Sequence, residues 1–181
     1  MTDLEIIVPV RPEGEQEAAL AACLDGIAKN TAVVTHVVHQ VAFDKVLQAI
    51  VDSTAEYVAV LPPSHAIADP GWFGKMQTPF LRTPSCGLTI SADDPAYAGK
   101  GVDPFPWKAR AGAPGDLVFA PRETIIAIAR AAKLLHYSEA LYLAANGLGF
   151  ITWAVPNVRI DIAGAKAPSA RTQSPNAHRP G

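Results

Sequence analysis

The sequence is short of the features that set a chain apart from ordinary globular domains. Two cysteines among 181 residues, Cys23 and Cys86, are too few and too far apart for a disulfide framework or a zinc spacing. Both stand among apolar neighbours and read as buried free thiols of a reducing compartment. An excess of charge of one sign is also missing. With 15 Lys and Arg against 17 Asp and Glu, net −2, the chain lacks the basic footprint that neutralises nucleic-acid phosphates, which excludes a general DNA- or RNA-binding role. No run of about 18 apolar residues occurs, and no basic stretch precedes the first apolar one. Neither a membrane span nor a secretory leader is expected, and the expected location is cytoplasmic. The remaining composition, 49% apolar and 18% charged, is enough to build a core without a structural metal. The length suits one domain.

The segment LEIIVPV, residues 4–10, is apolar without alternation, the pattern of a strand covered on both faces as in a parallel sheet. Residues 15–29 carry Ala19, Leu20, Cys23, Leu24 and Ile27 at helical spacing. A second strand over 33–39 leads into a short helix in which Phe43, Val46, Leu47, Ile50 and Val51 share a face, and a third strand spans 56–61. This alternation of strand and helix predicts right-handed crossovers and a mostly parallel central sheet. The turn-rich PPSHAIADPGW follows, then a helix over 72–80 and a strand over 87–91. Residues 92–115 read as one long loop, of the length that is usually functional. A strand over 116–120 comes next, then a helix to about 135 with Pro121 at its first position and Glu123 in its acidic first turn. A helix over 137–146 closed by Gly147 and strands over 150–155 and 158–162 complete the domain, 1–163. Residues 164–181 form a Pro-rich extended tail without periodicity, expected to be disordered alone in water. No internal repeat is visible.

Several segments, in this order, resemble family 2 glycosyltransferases, inverting enzymes that use nucleotide-sugars. LEIIVPVRP resembles their opening strand, AALAACLDGIAKNT their first helix, and AEYVAVLPPSHAIADPGWFGKM the strand, metal-motif loop and following helix start. GDLVFAPRETI and YSEALYLAANGLGFITWAVPNVRIDIAG resemble the later stretch that carries an acidic catalytic pair and the final strand. The resemblance covers residues 4–164 and implies a three-layer, Rossmann-type α/β fold of the GT-A kind. It also implies a nucleotide at the carboxyl ends of the strands, as the general rule for open α/β sheets does. Three loops should then converge on one crevice, and their residues Pro9, Arg11, Gln40, Ser64 and His65 are the nucleotide-binding candidates.

The resemblance lapses at the residues that carry the chemistry. The family meets the charge of the departing diphosphate with a divalent metal held by a DxD-type motif; PPSH stands there instead, with proline offering no side-chain ligand and serine a poor one, so the carboxylate oxygens that magnesium or manganese prefer are missing. No metal is therefore expected, although His65 with Asp69 is the one pair that could take a softer ion. His36 and His39, three apart on a strand, point to opposite faces. Where the family has a base-reading aspartate, this chain has His39 and Gln40, and Gln40 can hydrogen-bond a base edge. Of the acidic pair only Glu139 survives, as candidate catalytic base; a carboxylate at the head of a helix is equally what the helix dipole favours.

Two functions follow. One is a glycosyltransferase that replaces the metal by cations, with Arg11 and the loop residues Lys100, Lys108 and Arg110 clamping the diphosphate or acceptor; the same cations also suit a solvated loop. The other is an inactive GT-A-fold subunit that binds or builds a larger assembly, such as a virion. Residues 163–181, with three prolines and the basic Lys166, Arg171 and Arg179, would then contact a protein partner or a second copy.

Overall fold

The computed structural model describes residues 3–10, 17–42, 45–91, 100–102, 117–132 and 137–162. Leu4–Val10 is β1, and every residue of it but the last is buried, as its unbroken apolar run demands. In chain order follow α1 (Glu17–Asn30), β2 (Thr35–Ala42), α2 (Val46–Asp52), β3 (Tyr57–Val60) and β4 (His65–Ile67). Then come α3 (Trp72–Arg82), β5 (Cys86–Ser91), β6 (Lys100–Val102), β7 (Val118–Pro121) and α4 (Arg122–Ala131). The last elements are α5 (Tyr137–Gly147), β8 (Ile151–Val155) and β9 (Ile160–Ile162).

Seven strands make one sheet in the order β2-β1-β3-β7-β5-β8-β6, and β4 pairs with β9 in a small second sheet. β1, β2, β3, β5 and β8 run one way, while β7 and β6 run against them. The sheet is thus mostly parallel, as the strand–helix alternation predicts. Side chains one residue apart on each strand feed opposite cores. Ile7, Val58, Val60, Ile90, Val118 and Ala154 face the layer of α2, α4 and α5. Leu4, Ile6, Val8, Ala59, Phe119 and Val155 face α1, α3 and the β4–β9 pair. The three layers are helix, sheet and helix.

The structure corrects the sequence reading at four places. Residues 65–67 of the turn-rich stretch are a strand, β4, whose partner β9 lies about a hundred residues onward: His65 pairs with Ile162 and Ile67 with Ile160. A three-residue strand has no periodicity to read, so only the distant pairing reveals it. Within 92–115, residues 100–102 form β6 along β8. Pro121 ends β7 and caps α4 from an extended conformation, φ −58° and ψ 143°, rather than occupying the first helical position. α4 ends at Ala131, short of 135; residues 133–136, like Arg11, Phe43, Lys108, Arg110 and 163–181, lie outside the described residues. Among the described residues no helix is long and apolar enough to cross a membrane.

Two glycines contrast in what they do. At Gly26 on α1, a Cβ would stand 2.9 Å from both the N and the O of Ile67, so the absent side chain is what lets β4 lie on the helix; Asn30 Nδ2 then donates to Ile67 O at 2.8 Å. At Gly74 on α3 a Cβ would meet nothing within 4 Å. Gly26→Ala should therefore destabilise the fold by about 1–3 kcal/mol through overpacking. Gly74→Ala should stabilise it by about 0.5–1 kcal/mol through helix propensity. Urea unfolding of the two variants checks both signs, and equal effects would show that β4 does not pack on Gly26.

Candidate functional site

The carboxyl ends of the five parallel strands gather along one edge of the sheet. Ile7 of β1 is level with Val60 of β3, and Pro9 and Val10 are level with Val41 and Ala42 of β2. The β1–β2 register shifts between Val8, opposite His39, and Pro9, opposite Val41. Gln40 is the residue passed over. The shift falls where the ladder meets Pro9, which has no N–H to give, and a proline inside a sheet is found at such irregularities. Sequence reading selects both Pro9 and Gln40, but the bulge between them is visible only in the pairing; bulges of this kind cluster beside active sites.

β3 ends beside β1, with Leu61 N–H donating to Ile7 O at 3.0 Å. The chain then turns through Pro62, Pro63, Ser64 and His65, closed by His65 N–H donating to Pro62 O at 2.9 Å. Pro62 and Pro63 are buried, His65 is only 3% exposed, and Ser64 is half-buried. Ser64 Oγ lies 3.0 Å from His65 Nδ1. Cys23 on α1 approaches the same turn, its Sγ 4.0 Å from Pro62 O, and burial pushes its thiol up to about 12, which keeps it protonated and unreactive.

Asp69, the other half of the softer-metal pair, is already engaged. Its Oδ1 accepts from Gly71 N–H at 2.9 Å and its Oδ2 from Lys75 Nζ at 2.6 Å. Lys75 Nζ also donates to Asn157 O at 2.7 Å, and Asn157 is held at φ 60°, a conformation asparagine tolerates better than most residues. Asp69 thus ties the start of α3 to the β8–β9 connection. No group of three or more His, Cys, Asp or Glu placed to hold a metal ion occurs among the described residues. His36 and His39 stand on opposite faces of β2, His36 with Nδ1 3.3 Å from Glu5 Oε2 and His39 level with Val8.

Two further candidates are placed by topology. α5 reaches β8 through Leu148–Phe150 at the amino ends of the strands, and its 11 residues span roughly 16 Å. Glu139, near its first turn, therefore stands at the carboxyl edge. Lys100 opens β6 level with Ala154 of β8, also at that edge. Four strand steps separate β6 from β3, roughly 19 Å at ordinary strand spacing, so Lys100 belongs to the far half of the edge and the Pro62–His65 turn to the near half.

No protein-family model matches the sequence, and no curated protein is similar to it. Solved structures are similar in fold. Glucosyl-3-phosphoglycerate synthase from Mycobacterium tuberculosis, in complex with Mn2+, UDP and phosphoglyceric acid, superposes with a TM-score of 0.58 at 11% identity, over 91% of this chain and 72% of that one. A complex of the same enzyme with UDP-glucose gives 0.57 at 12% identity, over 93% and 73%. CMP:2-keto-3-deoxy-manno-octonic acid synthetase in complex with CTP gives 0.50 at 12% identity, over 86% and 90%. At such identities the likeness is one of fold: this chain has the three-layer, GT-A-like α/β architecture of nucleotide-sugar enzymes.

The Asp69 tie predicts a pH dependence. Burial raises the Asp69 carboxyl, but the Lys75 hydrogen bond and charge and the Gly71 and Arg159 backbone N–H groups outweigh it and hold it below its ordinary value of 3.8. A lowered native pKa contributes stability that is complete above the unfolded value and fades as pH falls through the native one. Asp69→Asn should cost about 1–2 kcal/mol at pH 7, and the gap to the parent protein should close below about pH 4. Urea unfolding at pH 7 and pH 3 measures it; a gap of the same size at both values would remove the carboxylate from the account.

Proposed function

We propose that this chain is a glycosyltransferase-like domain that binds a nucleotide-sugar at the carboxyl edge of its sheet and transfers the sugar without a carboxylate-held divalent ion. The observation that carries this reading is the closed Pro62–His65 turn at the end of β3, where the resemblance to family 2 glycosyltransferases implies metal ligands and this chain offers proline, serine and histidine. The edge around the turn supplies the rest of the candidate machinery. Pro9 and the Gln40 bulge lie on the near half, with the amide of Gln40 suited to a base edge.

Transfer forms a bond from an acceptor oxygen to the anomeric carbon as the sugar–phosphate bond breaks and the diphosphate leaves with its electrons. The acceptor proton goes to Glu139 as general base. The leaving diphosphate needs positive charge, and in the absence of a metal this falls to Arg11, which follows β1, and to Lys100, Lys108 and Arg110 around β6; a guanidinium meets a diphosphate with two parallel hydrogen bonds. A panel of nucleotide-sugars with and without manganese tests the reading. One donor should raise the melting temperature and release product equally well without manganese. Glu139→Gln should lower turnover by about 100-fold while keeping the donor's thermal shift. Strict dependence on manganese, or no response to any donor, would overturn it.

A second reading draws on the same turn. With no carboxylate at Pro62–His65 and one carboxylate in place of an acidic pair, the fold also suits a binding or structural subunit of a larger assembly, such as a virion, held by residues 163–181. That segment continues from β9, whose last residue, Ile162, pairs with His65. Deleting 164–181 should leave the melting temperature nearly unchanged and weaken self-association in sedimentation experiments. Loss of several kcal/mol of stability, on the scale of a core deletion, would instead assign the tail to the core.

A further inference from the structure

Pro62 and Pro63 have no N–H groups, and His65 spends its own on Pro62 O at 2.9 Å. Of the turn's hydrogen-bond donors, those of Ser64 are the ones that can face outward, since Ser64 is the one member of the four that is not buried. Its hydroxyl is not alone: His65 Nδ1 stands 3.0 Å away on a side chain that is almost wholly enclosed. With Nδ1 protonated, the imidazole donates to Ser64 Oγ, and the hydroxyl hydrogen is left to point away from the histidine. Two hydrogen bonds in a row polarise one another, so a hydroxyl that accepts from a ring N–H is a stronger donor than a free one. Such a donor fits an oxyanion.

We propose that Ser64 and His65 form a two-step donor relay, with Ser64 Oγ–H hydrogen-bonding a phosphate oxygen of a nucleoside diphosphate and buried His65 holding the hydroxyl in its donating orientation. The inference rests on the nucleotide-sugar reading above and deepens it, because it names what replaces the metal contact at that turn. Ser64 touches the ligand; His65 is a positioning residue that acts through it. The geometry favours this use over metal ligation, since serine is a poor ligand and the histidine nitrogen facing it is already hydrogen-bonded.

Equilibrium titrations of the full chain with UDP, CDP, GDP and ADP, with the four matching nucleosides and with inorganic pyrophosphate, test the relay. For whichever diphosphate the parent protein binds, Ser64→Ala should weaken binding about tenfold, the scale of one hydrogen bond to a charged group. It should leave the matching nucleoside unchanged. Ser64→Thr, which keeps the hydroxyl, should restore most of the loss, and His65→Phe should reproduce part of it with the base preference intact. Ser64 is half-buried, so its variants remain informative if His65→Phe fails to fold. Equal weakening of nucleoside and diphosphate by Ser64→Ala would make the turn a matter of shape and overturn the relay, as would unchanged diphosphate binding. Weakening of pyrophosphate alone, without an effect on any nucleoside diphosphate, would also overturn it. If the parent protein binds no nucleoside diphosphate, both the relay and the nucleotide-sugar reading fall together.

Discussion

The central strands of this sheet are covered on both faces, and that single constraint decides where chemistry can stand. β1, β3, β5 and β7 place almost every side chain in one of two dry cores, so a polar group on them must find a partner or cost several kcal/mol. The exceptions show the rule at work. Thr89 is fully buried, and its hydroxyl lies within hydrogen-bonding reach of Met76 O at 3.0 Å and Phe119 O at 3.2 Å. Glu5, 8% exposed, meets His36 on the neighbouring strand. Functional groups are thereby pushed to the strand ends. Of the two edges, the carboxyl one gathers the β1 and β2 ends, the Pro62–His65 turn and the first turn of α5.

β7 runs against its neighbours through the middle of the sheet, and Phe119 on it organises the face away from α2, α4 and α5. It stacks on Tyr57 at 5.3 Å and meets Trp72, Phe73 and Phe80 at 5.5–6.1 Å. Rings at these separations contribute beyond their buried area. They fix α3 across the sheet, and α3 in turn carries Lys75 to Asp69 and Asn157. The route from aromatic core to site geometry is therefore short: Phe119 positions α3, α3 positions the β8–β9 connection, and β9 runs alongside His65.

What the sequence disclosed and what it hid follow from the range of the signals. β1, α1, α2 and α3 are legible because apolar periodicity is local, and five strands in one direction follow from helices of crossover length between them. β4 and β6 are three residues each, too short to show a period, and exist because of partners far along the chain; β9, equally short, lies within the strand predicted over 158–162, but its pairing with β4 is not legible. The same limit governs the site. Pro9, Gln40, Ser64, His65, Lys100 and Glu139 are picked out as candidates by their order along the chain, yet the Gln40 bulge and the Ser64–His65 contact depend on register and turn closure. Asp69 reads as a ligand candidate until Lys75, six residues on, is seen to bridge it to Asn157 O, a contact across 82 residues.

The Pro62–His65 turn is also settled thermodynamically by its composition. Two carboxylates set close together repel until a cation arrives, so a metal-holding loop is less settled without its ion. Two successive prolines carry no such repulsion and narrow the unfolded ensemble. The turn is then braced from three sides: Leu61 N–H on Ile7 O, Cys23 Sγ near Pro62 O, and β9 alongside His65. Under the proposed relay, a donor held this firmly would cost no reorganisation when a ligand enters. A hydroxyl dipole nonetheless supplies far less field than a divalent ion, so under the proposed relay the braced turn would secure the position of a diphosphate but not its full charge. On that reading the balance falls to the basic candidates, of which Lys100 opens β6 while Arg11, Lys108 and Arg110 follow β1 and β6 in the sequence.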